Sequence, residues 1–168
     1  MNKIILLLLF PFCAIAQHEF KAVDSKIVWQ QVFADSVSAQ DYIKHINTTL
    51  SQQIPAQLNT DYISGQTTYM DLIDDKSSLS AFYRMPIKFD YLVEFKDHQY
   101  RVTVRNIAFK GISVSIYGVT DDADTYIDKS MIRSRDGELR KNNMSQNVLT
   151  RLDIAFKKLF THQTVAGW

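Results

Sequence analysis

One cysteine, Cys13, is the whole thiol content of this 168-residue chain, and it lies among the first sixteen residues. Those residues have the layout of an export signal: Asn2 and Lys3 form a short polar, positive start and Ile4 to Phe10 an unbroken apolar run. Ala14-Ile15-Ala16 then supplies the small-x-small pattern that a signal peptidase cuts after. The apolar stretch to Ala16 is about 13 residues, short of the roughly 20 that span a bilayer as a helix. The reading is a cleaved leader over 1–16, a mature chain from Gln17 to Trp168, and a periplasmic or secreted protein with no later transmembrane segment. Phe12 stands before Cys13, where lipoprotein signals carry a small residue, which argues against lipid attachment. Without Cys13 the mature chain has no thiol, so disulfides, thiol catalysis and Cys-ligated zinc are excluded. An exported protein of this kind must hold itself together by core packing.

Charge of one sign is also missing. The 19 basic residues face 18 acidic ones, and removal of Lys3 with the leader balances them. A neutral chain gives no electrostatic reason to expect nucleic acid or an anionic membrane as partner. Internal repeats and low-complexity tracts are absent, and the remaining length fits one domain, placed over 20–161.

Period-2 patterning is strongest from Ile87 to Arg105. Ile87, Phe89, Tyr91, Val93 and Phe95 alternate with Lys88, Asp90, Leu92, Glu94 and Lys96; Tyr100, Val102 and Val104 alternate with Arg101, Thr103 and Arg105. With Asp97 and His98 as the two loop residues, Phe95 faces Tyr100, Val93 faces Val102 and Tyr91 faces Val104. On the other face Glu94 meets Arg101 and Asp90 meets Arg105. A slip by one residue would set apolar residues opposite charged ones, so the register is fixed. His98 stands where a tight turn usually has Gly, and must tolerate positive φ. Ile112, Val114 and Ile116 suggest a further strand of the same sheet. Lys26–Ala34 and Tyr62–Ile73, rich in β-branched and aromatic residues, suggest two more, with Gly65 at a bulge or turn.

Two helices bracket these strands. Ser38 can cap the first, with Asp41 at its third position, Val37 and Tyr42 as a staple, an Ile43/Ile46/Leu50 stripe, and Pro55 beyond its end. The second begins near Asn143–Ser145 and carries Val148, Leu149, Leu152, Phe156 and Leu159 on one side. The fold expectation is α+β: an antiparallel sheet of about five strands with two helices on one face. Gly118 to Asn142 shows no clear periodicity.

KIVWQQVF followed by a capped helix, then Ile63-Ser64-Gly65, then DYLVEFKDHQYRVTVRNIAF and a terminal amphipathic helix, resemble a family of exported Bacteroidetes domains of unknown function. That family is described as having a fold like the TATA-binding protein (TBP-like). The resemblance spans about Ile27 to Phe109 plus the last helix, and Val93 to Arg101 carries it best. It implies a fold and a compartment. It implies no catalytic or binding residues, and the DNA binding of the fold's namesake does not follow from a shared fold.

Catalytic motifs are weak. His18, His45, His98 and His162 are far apart, with no pair at the three- or four-residue spacing of a helical metal site. Gly111-Ile112-Ser113-Val114-Ser115 lacks the final Gly of a nucleophile elbow. Asp121, Asp122 and Asp124, with Asp128 beyond, form the densest acid cluster and the one weak calcium candidate. Ile127 and Arg133 stand where a calcium loop beginning at Asp122 would need Gly and Glu. Asp35-Ser36-Val37 fits a short O-glycosylation pattern of that bacterial group.

The open sheet face is the candidate binding surface: Lys88, Glu94, Arg101, Arg105 and Tyr117, among Asp90, Leu92, Thr103, Ser113 and Ser115. It is a mixed surface able to seat a protein or a glycan. The leading functional expectation is an exported cell-envelope accessory or interaction module with no cofactor and no catalysis, its partner an envelope protein or glycan. The alternatives are an envelope-polymer hydrolase centred on the acids of Asp121–Asp128, and a small-ligand binder using a cavity between helices and sheet.

Overall fold

A computed structural model describes residues 19–50, 56–59, 61–111, 114–116, 119–121 and 124–162; the leader expected over 1–16 lies outside them. In chain order the elements are β1 (Phe20–Val23), β2 (Lys26–Phe33), α1 (Ala39–Leu50), β3 (Gln57–Leu58), β4 (Tyr62–Gln66), a 3-10 turn (Ala81–Arg84), β5 (Ile87–Lys96), β6 (Gln99–Phe109), β7 (Val114–Ile116), β8 (Val119–Asp121), β9 (Thr125–Tyr126), α2 (Ile127–Met131) and α3 (Asn143–Phe160). The main sheet is antiparallel, in the order β1-β2-β6-β5-β4-β3, with β9 pairing β6.

The central hairpin β5–β6 has the register that its charge pattern requires: Phe95 opposite Tyr100, Glu94 opposite Arg101, Val93 opposite Val102, Tyr91 opposite Val104 and Asp90 opposite Arg105. Its turn residues Asp97 and His98 have φ of 45° and 62°, the doubly positive geometry of a tight hairpin. Asp24 and Ser25, at φ 49° and 59°, close β1–β2 in the same way. Past Asp90 the register shifts, where Asn106 adopts φ 52° and β6 carries one extra residue.

Four expectations need correction. The main sheet has seven strands, not about five, because β1, β3 and β9 are only four, two and two residues long and carry no readable period. The expected strand with Val114 and Ile116 does not extend that sheet: β7 pairs with β8 in a separate two-stranded sheet, and Ile112 lies outside the described residues. There is also a third helix, the five-residue α2, inside the segment without periodicity. The strand expected over Tyr62–Ile73 ends at Gln66. Beyond it Thr67 donates its N–H to the Phe89 carbonyl at 2.9 Å, and Met70 makes an isolated bridge to Ile87.

α1 and α3 cover one face. Ser38 caps α1, accepting the Asp41 N–H at 3.1 Å while its hydroxyl donates to the Asp41 carboxylate at 2.8 Å. The buried stripe of α1 is Tyr42, Ile46 and Leu50, with Ile43 half-buried beside it. Asn142 caps α3 by accepting the Ser145 N–H at 2.8 Å. Phe156 packs on Trp29 and Phe89 with ring centroids 5.3 and 5.0 Å away, and Tyr42 packs on Tyr100 at 4.6 Å. All five of these strand and helix residues are buried in one core.

Gly65 needs no bulge; it needs the absence of a side chain. A Cβ there would lie 2.6 Å from Cζ of Tyr91, which is itself only 3% exposed. Gly65→Ala is expected to lower the unfolding free energy by about 1–3 kcal/mol, as overpacking does. A urea midpoint equal to that of the wild type would contradict this.

Candidate functional site

Strand alternation sends every second residue of β2, β4, β5 and β6 away from the helices. The registers then line four of them across the sheet: Val32 of β2 opposite Arg101 of β6, Arg101 opposite Glu94 of β5, and Glu94 opposite Tyr62 of β4. Four strands at about 4.8 Å spacing make this row roughly 14 Å wide. Glu94 grips Arg101 through two parallel bonds, both 2.9 Å, from Nε and the terminal guanidinium nitrogen. That hydrogen bonding holds the Arg101 pKa above its ordinary value. Val32 and Tyr62 at the ends of the row are 47% and 41% exposed. A groove of about 460 Å³ runs here, lined also by Asp61, Lys96 and Gln99.

The other expected face residues are not gathered at this groove. In the next row but one, Asp90 accepts from Gln66 at 2.8 Å and from Asn106 at 2.6 Å, so the expected Asp90–Arg105 ion pair is not formed. The bulge at Asn106 brings that amide onto the carboxylate first, and Arg105 stays exposed. Lys88, at the far end of β5, pairs with Asp124 and lies 5.0 Å from the centre of the Tyr69 ring. Between them Thr103 accepts from Gln30 at 3.2 Å. Tyr117, Ser113 and Asp122 lie outside the described residues, and of Asp121 only the strand backbone is described.

Asp124 and Asp128 do not converge. Asp128 accepts the Ile27 N–H at 2.7 Å and pairs with Lys26 at 3.2 Å, tying α2 to the start of β2. Among the described residues no group of three or more His, Asp or Glu side chains is arranged to hold a metal, and no helix is long and apolar enough to cross a membrane.

A second cluster carries no sequence signal. His162, just past α3, places Nδ1 3.1 Å from Asp35, 127 positions away. Its ring centre is 5.5 Å from that of His45 on α1. Burial, with His162 beside it, holds the His45 pKa below its ordinary value. The His162 N–H donates to the Tyr100 hydroxyl at 3.0 Å, and that hydroxyl donates to the Phe160 carbonyl at 2.9 Å. The cluster lines a cleft of about 600 Å³.

No protein-family model matches the chain, and no curated protein matches it. Two solved structures are similar. A TBP-like protein from Parabacteroides distasonis has 11% identity and a TM-score of 0.47, over 82% of this chain and 92% of that one. A DUF4468 family protein from Bacteroides ovatus has 17% identity and a TM-score of 0.48, over 86% of this chain and 92% of that one. Their descriptions coincide with the fold and the bacterial group of the sequence resemblance.

Proposed function

We propose that the chain is an exported accessory module of the cell envelope, one domain over 20–161 behind a cleaved leader. It acts by binding a partner protein on its open sheet face, without catalysis or cofactor. The observation that carries this reading is the row Val32–Arg101–Glu94–Tyr62. Two exposed apolar side chains flank a planar, charged pair above a groove, the mixture of Arg, Tyr and aliphatic surface that interface cores favour. The balanced charge and the export leader support the envelope as the place of action and argue against nucleic acid as partner.

The test is capture from envelope extract of the source organism on immobilised protein, read by mass spectrometry. It is run beside Arg101→Glu/Arg105→Glu and beside Tyr62→Ala. The expected result is a protein retained by the wild type and reduced at least tenfold by both variants, whose melting curves stay within a few degrees of the wild type. Arg101→Glu also sets two carboxylates side by side, so binding should fall more than from removal of charge alone. Retention unchanged in both variants would reject the face; a captured glycan in place of a protein would reassign the partner class.

A further inference from the structure

The charges of the main sheet are sorted by strand. β1, β2 and β6 contain lysine or arginine and no acid, β3 and β4 contain no charge, and both acids of this path, Asp90 and Glu94, lie on β5. On the face turned away from the helices, β6 presents Arg101 and Arg105, and β5 presents Glu94 and Asp90 opposite them. Two rows thus have the same polarity, cation on β6 and anion on β5. The first row is closed within the chain by the double bond of Glu94 to Arg101. The second is open. Asp90 is held by the amides of Gln66 and Asn106, which neutralise no charge. Arg105 is exposed and has no ion pair among the described residues.

Such a pattern is its own complement. The path β1-β2-β6-β5-β4-β3 has three strands on each side of the line between β6 and β5. A two-fold axis parallel to that line, midway between two facing sheets, lays β6 of one copy over β5 of the other, and β2 over β4. Arg101 then meets Glu94 of the second copy and Arg105 meets Asp90, which gives both open charges a partner. The exposed Val32 meets the exposed Tyr62, and Lys96 meets the neutral Gln99. Strands of the two copies run in the same direction, as in aligned sheet packing at about 10 Å, a gap that facing Arg and Glu side chains bridge. A partner of one charge sign would fit β5 or β6 and be repelled by the other. A chain whose formal net charge is only +1 carries little overall repulsion between copies.

We infer, taking this face as the binding surface, that its partner is a second copy of the chain, in a two-fold dimer with β6 over β5. With strands about 4.8 Å apart and residues about 3.4 Å apart along them, the six strands offer a face of roughly 600 Å². Two copies then bury about 1,200 Å², the low end of specific interfaces. The dimer is accordingly reversible, with a Kd on the order of 1–100 µM.

The test is sedimentation equilibrium of the mature chain, from Gln17, at concentrations bracketing that Kd. The expected result is a monomer–dimer equilibrium that added salt weakens. Arg105→Glu and Asp90→Lys should each weaken self-association at least about tenfold, because like charges then meet across the axis. An equimolar mixture of these two variants should regain the dimer. The acid placed at 105 of one copy then lies over the base placed at 90 of the other, and the native Arg105 over the native Asp90. Melting curves establish that each variant is folded. Folded variants that lose self-association and do not recover it on mixing would overturn the two-fold arrangement. Self-association unchanged by either reversal would place it elsewhere on the molecule and overturn this interface. A wild type monomeric throughout overturns the dimer without recourse to any variant. If that monomer still captures an envelope protein through Arg101 and Tyr62, the binding face stands with another occupant; if it captures nothing, face and dimer fall together.

Discussion

Phe156→Ala is expected to lower the unfolding free energy by about 3–5 kcal/mol, the range for removing a large aromatic side chain from a core. Phe156 is fully buried and stands at the meeting point of α3 with the sheet. Its ring lies 5.3 Å from Trp29, 5.0 Å from Phe89, 6.1 Å from Phe20 and 6.4 Å from Phe160. These neighbours come from β1, β2, β5 and α3, so the void would be walled by elements that cannot all move inward together. Rigid walls are what make the cavity part of the cost large. Domains of this size are stable by about 5–15 kcal/mol, so the loss is a large fraction of the whole. Urea unfolding followed by circular dichroism measures it. Phe156→Leu should cost clearly less, because most of the volume is kept; a loss below about 1 kcal/mol for Phe156→Ala would mean that the site collapses freely and that α3 is not the clamp described here.

The parts of this fold that could be read from the chain are those whose signal is local and long. Ten alternating residues in β5 and a complementary run in β6 define a hairpin, and the Glu94/Arg101 opposition fixes its register by charge. Two-residue strands such as β3 and β9 have no period to detect; they exist because β4 and β6 offer unpaired backbone beside them. The alternation of Val114 and Ile116 marks a strand correctly and says nothing of which sheet it joins. The candidate groove divides in the same way. Its centre, Glu94 with Arg101, belongs to one hairpin and was legible; its apolar ends, Val32 and Tyr62, arrive only when β2 and β4 dock on either side. The Asp90–Arg105 pair failed for a local reason, the left-handed Asn106, which no alternation pattern reports. The His45–His162 cluster is the extreme case, since its members meet only after both helices have packed.

Asp153→Ala is the second large effect, expected to cost about 3 kcal/mol through a mechanism different from that of Phe156. In sequence Asp153 is an unremarked acid of a helix; in the fold it is 7% exposed and faces the core side of α3. One carboxylate oxygen accepts the Trp29 indole N–H at 2.8 Å and the Glu19 backbone N–H at 3.2 Å; the other holds Lys157 at 2.9 Å. Trp29 is fully buried, so alanine at 153 would strand its N–H with neither carboxylate nor water to meet it, and would release the chain entering β1 as well. Asp153→Asn keeps a neutral acceptor for the indole and should cost less, about 1–2 kcal/mol. A double-mutant cycle with Trp29→Phe separates this mechanism from a general loss of packing. Phenylalanine has no N–H to strand, so Asp153→Ala should cost at least 1 kcal/mol less in that background. Equal costs in the two backgrounds would show that the carboxylate acts through Glu19 and Lys157 alone, which would make the link between α3 and the first hairpin a matter of backbone and surface charge instead of the buried indole.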